Sequence, residues 1–184
     1  MTYYGGKEMA ASFRTVRNNT VKIAEEIPEN KYDFRAAPDC RTIGQTLVHI
    51  ALGPSFQLHV HTNKFDDLAK VNFPELMQKV GALEARPRTK DEIIAMLKND
   101  GEEYASFLES LPEAFFAEQI AIPPGADVRA KTRFEMLLSA KEHEMHHRAQ
   151  LMVLQRMIGQ VPHLTRLMQE RVAQMQAAAA QQAR

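Results

Sequence analysis

The fold turns on Lys141-Glu142-His143-Glu144-Met145-His146-His147-Arg148-Ala149-Gln150-Leu151. Around this stretch Met136, Ala140, His143, His147, Leu151, Leu154 and Ile158 recur at three- and four-residue steps, the period of a helix with one apolar face. The pattern predicts a helix from Thr132 to Ile158, stopped by Gly159 and Pro162. His143 and His147 stand in the apolar stripe on successive turns, so they point toward whatever the helix packs against. Two imidazoles buried that close together need partners for their nitrogens. A divalent cation satisfies both, and the i,i+4 spacing is one at which a helix offers two nitrogens to one metal.

Thr132…Glu135 opens this helix as a capping box, and Thr42…Gln45 and Thr89…Glu92 repeat the pattern. In each box the Thr hydroxyl accepts a free first-turn amide, and the longer side chain reaches back to the cap's own amide. The boxes predict helices over 42–61 and 89–111. Gly53-Pro54 interrupts the former, where proline removes an amide and bends or breaks the helix. An earlier helix, over 7–27, carries Phe13, Val16, Thr20, Ile23 and Ile27 as its buried stripe and ends at Pro28. A short extra helix is expected over 74–80. Gln119-Ile120-Ala121-Ile122 alternates too briefly to build a sheet. Four main helices without a sheet predict an all-α protein, a four-helix bundle over 1–160. The remaining 161–184 reads as a helical tail. Its Val161, Leu164, Leu167, Met168 and Val172 are expected to pack on the bundle or on a second subunit, with fraying beyond Met175.

The 184 residues suit one domain, and 45% hydrophobic with 25% charged residues is a globular composition. Lys+Arg and Asp+Glu each total 23, which lacks the basic excess of a dedicated nucleic-acid binder. The single cysteine, Cys40, excludes internal disulfides and an all-cysteine metal site, and is expected to be a small packing residue. No apolar run approaches the roughly 18 residues of a membrane span. Residues 1–8 show no apolar run before a cleavage site, so a cytoplasmic protein is expected.

Two ligands rarely hold zinc or nickel, and the third is expected from another helix. His49, amid Leu47, Ile50, Leu52 and Phe56, is the best candidate. His59 and His61, near the end of that helix, are expected to be exposed or on the bend, and His146 to face a neighbour or solvent. Three histidines leave positions open for water or substrate, the arrangement of a catalytic site. His143-Glu144-x-x-His147 also satisfies the H-E-x-x-H pattern of zinc metalloproteases. Those enzymes take their third ligand downstream, where only His163 stands, beyond the helix break. Glu144-x-x-His147 fits half of a ferritin-like di-iron site, but no second Glu-x-x-His exists in the chain.

Thr42-Ile43-Gly44-Gln45-Thr46-Leu47-Val48-His49-Ile50 resembles the helix-two motif of the DinB superfamily, and His143 to Leu151 resembles its last-helix motif. The Lys31-to-Pro38 connection adds to the likeness, which covers about residues 7–158. Arg41 stands where an aromatic residue is common, and Ala149 where glycine is common. The resemblance implies a bundle of DinB topology, often dimeric, with zinc or nickel on His49, His143 and His147. The family includes enzymes that use a low-molecular-weight thiol.

A metal-dependent enzyme, with thiol S-transfer ahead of hydrolysis, is therefore the first functional reading. Glu144 would be a base if it faced the metal, with a surface salt bridge as its alternative. Arg148 would hold an anionic group of the substrate or be a solvated helix residue. Gln150 is placed as a hydrogen-bond partner behind the ligands. The competing reading is a metal-binding or dimeric interaction protein without turnover, whose metal would be closed off by a fourth protein ligand.

Overall fold

A computed structural model describes residues 4–182. The main helices are α1 (Gly6–Glu26), α2 (Ile43–Leu52), α5 (Lys90–Ser110) and α7 (Arg133–Met157), with α3 (Ser55–Thr62), α4 (Phe73–Glu84) and α6 (Glu113–Ala117) in the connections and α8 (His163–Gln182) last. The chain is an all-α four-helix bundle. Its α1 packs along α5 and α7, and α2 along the same two.

The starts of the elements follow from their caps. Thr42 accepts from the Gln45 amide at 3.1 Å while Gln45 Oε1 accepts from the Thr42 amide at 2.9 Å. Thr89 and Glu92 make the same reciprocal pair. Thr132 does only half of this: it caps the Glu135 amide, but the Glu135 carboxylate pairs with Lys131 instead.

Several expectations are corrected. Of the two outcomes expected at Gly53-Pro54, a bend or a break, the structure has the break: the segment over 42–61 is two helices, because Pro54 has no amide to continue the ladder of α2. The extra helix is longer than 74–80, running on to Glu84, with Asn72 capping its start. Gln119–Ala121 does find a partner: it pairs antiparallel with Ala130–Thr132 as a two-stranded ribbon. The tail is helical from His163 to Gln182. Its packing stops early, since Val161, Leu167, Met168 and Val172 are exposed and only Pro162 and His163 are buried.

The core falls into two large apolar groups. One gathers Ile23, Ile27, Leu47, Ile50, Leu97 and Leu151; the other Met9, Phe13, Tyr104, Leu108, Phe115 and Leu137. The stripe expected on α1 is buried throughout. No helix among the described residues is long and apolar enough to cross a membrane.

Candidate metal centre

His49 lies on α2, and His143 and His147 lie one turn apart on α7. Packing of α2 on α7 brings one ring nitrogen of each within 4.8 Å of the others. Ring centroids are 4.9 Å apart for His49–His143, 4.7 Å for His49–His147 and 4.5 Å for His143–His147. All three are half-buried, at the open edge of the core rather than deep inside it. Among the described residues no fourth His, Cys, Asp or Glu joins the group.

Hydrogen bonds behind the rings aim them. His49 Nδ1 meets Glu84 Oε1 at 2.5 Å, and His147 Nδ1 meets Gln150 Oε1 at 2.9 Å. A ring nitrogen facing a carboxylate or amide oxygen carries the proton, so Nε2 of each keeps its lone pair. His49 Nε2 then faces His143 Nε2 at 3.0 Å. Two metal–nitrogen bonds of usual length at a tetrahedral angle separate their nitrogens by about 3.3 Å. The donor set fits a divalent cation on chemistry and on spacing. Burial holds His143 down to about 4, helped by the neighbouring His147 and His49, and burial also lowers His147. Both rings are therefore neutral and able to donate at neutral pH.

Gly53 makes room for one of these rings. A Cβ there would lie 2.9 Å from His143 Nδ1, so the end of α2 must be glycine for the ring to sit where it does. His143 Nδ1 is buried, with no hydrogen-bond partner among the described residues.

Two clefts flank the centre. The larger, about 780 Å³, is lined by His147, Gln150, Thr46, Cys40, Arg41 and Leu154 among others. The smaller, about 260 Å³, is lined by His49, His143, Gly53, Glu84, Arg41 and Met77 among others. Arg41 belongs to both walls. Its guanidinium makes no hydrogen bond among the described residues, and its nearest carboxylate oxygen, on Glu84, is 3.9 Å away.

Several sequence-derived placements are corrected here. Glu144 neither faces the centre nor makes a surface salt bridge; it is buried on the α1 side of α7, paired with Arg17 at 2.9 Å. Arg148 lines neither cleft and is not a free solvated residue; it is half-buried, with Nη1 3.5 Å from Val16 O, and burial lowers its pKa. Cys40 is exposed on the cleft wall rather than a packing residue of the core. His61 is buried rather than exposed. His59 is half-buried against Phe65, while exposed His146 meets Gln150. Gln150 sits behind His147 as expected. Glu84 escaped the sequence reading, while Arg41, singled out there only as a departure from the family pattern, lines both clefts. The signal for Glu84 was Pro87, which lets the extra helix run on past 80.

The sequence model of the DinB family matches residues 1–181. Among curated proteins none matches the chain. Similar solved structures include a DinB-like protein of Bacillus subtilis, YjoA, at 23% identity and TM-score 0.62, covering 84% of this chain and 93% of that one. A DinB-like protein of Bacillus cereus is similar at 17% identity and TM-score 0.66, covering 88% and 97%. YfiT of Bacillus subtilis, described as a probable metal-dependent hydrolase with an unusual four-helix bundle topology, is similar at 13% identity and TM-score 0.64, covering 87% and 91%.

Proposed function

The chain belongs to the DinB family, and from that premise we propose that it is a metal-dependent enzyme acting on a small molecule at His49, His143 and His147. The observation that carries this reading is the convergence of three imidazole nitrogens beside two clefts, with no fourth donor among the described residues. A site closed by four protein ligands would be structural; one left open is built for turnover. The ligands suit zinc or nickel. A divalent cation bound there supplies a Lewis acid with open positions.

The chain's own residues do the rest. Glu84 and Gln150 hold two rings in the tautomer and orientation that donation needs. Arg41, whose guanidinium makes no hydrogen bond among the described residues and only a 3.9 Å ion pair with Glu84, orients an anionic group of the substrate. The 780 Å³ cleft is of small-molecule size.

Thiol-dependent S-transfer is the reaction we assign first. In the H-E-x-x-H pattern the glutamate is the base that activates water, and here Glu144 is committed to Arg17, away from the centre. A thiol cosubstrate brings its own acidic nucleophile: its proton passes to solvent, its sulfur bonds to the electrophilic carbon, and the bond from that carbon to the leaving group breaks, the leaving group taking the electron pair. Hydrolysis is the second reading, favoured by the description of YfiT.

The test begins with metal content by mass spectrometry on untagged protein purified without added metal, beside His143→Ala. About one equivalent of zinc or nickel, lost in the variant, is expected. Negligible metal that titration does not restore would sink the enzyme reading. The loaded protein is then given a thiol with an alkylating electrophile, or an ester alone. Thiol-dependent turnover supports S-transfer; ester cleavage without thiol supports hydrolysis.

A further inference from the structure

The two apolar groups of the core are separated by a polar layer. Arg17 on α1 directs Nε at both oxygens of Glu144 on α7, at 3.1 and 2.9 Å. Its Nη1 donates to Leu97 O on α5 at 2.8 Å, and its Nη2 to Ile50 O on α2 at 3.2 Å. Thr20 completes the layer, donating to Glu144 Oε1 at 2.7 Å. The charged side chains are 4% and 2% exposed. One guanidinium thus ties all four main helices together.

Its anchor points are not arbitrary. Glu144 follows His143 in sequence, and Ile50 follows His49. The Ile50 carbonyl is available because of Pro54: in an unbroken helix that oxygen would accept from the amide four residues on, and proline has none. The Gly53 amide takes one of its lone pairs at 3.2 Å, and Arg17 takes the other. Space for the guanidinium comes from Gly101, where a Cβ would stand 2.7 Å from Arg17 Cγ and 3.1 Å from Nη1.

Apolar packing tolerates small rotations of a helix about its axis; directional hydrogen bonds to a buried charge do not. Replacing such a pair by apolar residues is often neutral for stability, so what the pair adds here is direction rather than net stabilisation. We propose that Arg17 and Glu144 are positioning residues of the metal centre, fixing the rotation of α7 and the register of α2 so that the three imidazoles converge. The proposal rests on the three-histidine reading and adds to it the device that holds the donors in place. Glu144 therefore serves the centre from behind and takes no part in proton transfer.

The test uses the full chain as wild type, Arg17→Met/Glu144→Met and Gly101→Ala. The double variant removes both charges, leaving neither unpaired. Gly101→Ala keeps both charges and pushes the guanidinium aside. Zinc affinity is read by competition with a chromogenic chelator, ligand geometry by the visible bands of the cobalt(II)-loaded protein, and folding by thermal melts. Expected are folded variants with zinc affinity weakened about 10- to 100-fold and shifted cobalt bands. Wild-type affinity and wild-type bands in either folded variant overturn the proposal, leaving the pair as a bundle contact only. A wild type that binds no zinc fails the three-histidine reading itself, a result separate from the comparison of variants.

Discussion

His61 is a buried histidine outside the candidate metal centre, 2% exposed. Its Nδ1 accepts from Arg133 Nη1 at 3.2 Å, and its Nε2 donates to Gln57 Oε1 at 3.1 Å. Burial, with the Arg133 charge adding to it, holds its pKa down to about 4. The folded state thus keeps His61 neutral where the unfolded chain, titrating near 6.5, binds a proton. Stability is fully present above about pH 6.5 and is lost as pH falls toward 4, by up to roughly 3 kcal/mol. His61→Gln keeps a donor and an acceptor without titrating. Its urea midpoint should fall less than the wild type's between pH 7 and 4.5; equal falls would remove His61 as the cause. The sequence left this residue exposed or on the bend because Pro54 signals an interruption but not the direction in which α3 then runs. The convergence of the three histidines was legible: periodicity put His143 and His147 on one face, and His49 stood among apolar residues of another helix. Glu144 was not: its place 100° from the ligands says nothing of whether that face meets solvent or α1.

At the scale of elements, the end of α2 is where helix preference and site geometry conflict. Gly53 has φ −49° and ψ −41°, ordinary helical values that alanine prefers by up to about 1 kcal/mol. An alanine Cβ would nevertheless meet the His143 ring. Gly53→Ala should lower zinc affinity by about tenfold or more while leaving the helical circular-dichroism signal intact. Unchanged affinity would mean that the ring has room to move. The limits of the helices were legible where Thr boxes and prolines mark them. The ribbon of Gln119–Ala121 with Ala130–Thr132 was not, because three-residue strands carry too little alternation to show a partner. The helix Glu113–Ala117 is likewise too short to display a period.

For the molecule as a whole, α8 is the least committed element. It is held at its start, by His163 on Asn19 and Arg166 on Glu26, and every described residue from Leu167 on is exposed. Truncation after Arg166 should shift the thermal midpoint by less than about 3 °C, the scale of a 1 kcal/mol change at this size, and should leave metal uptake unchanged. A larger fall, seen by calorimetry, would show that the exposed face is covered in solution. The bundle was legible from four periodic segments. The tail's lack of packing was not, since its apolar residues recur at helical spacing whether or not anything lies opposite them.

Helix α4 is different again: none of its residues is buried, yet Glu84 at its end touches the centre through His49. Leu76 and Val80 lean on the core from one side, and the other positions before Glu84 face solvent. The bundle's interior therefore constrains two residues of α4 and leaves most of the rest open to exchange. The carboxylate that sets the basicity of the His49 imidazole is carried by a surface connection, so it can be adjusted without repacking the four main helices.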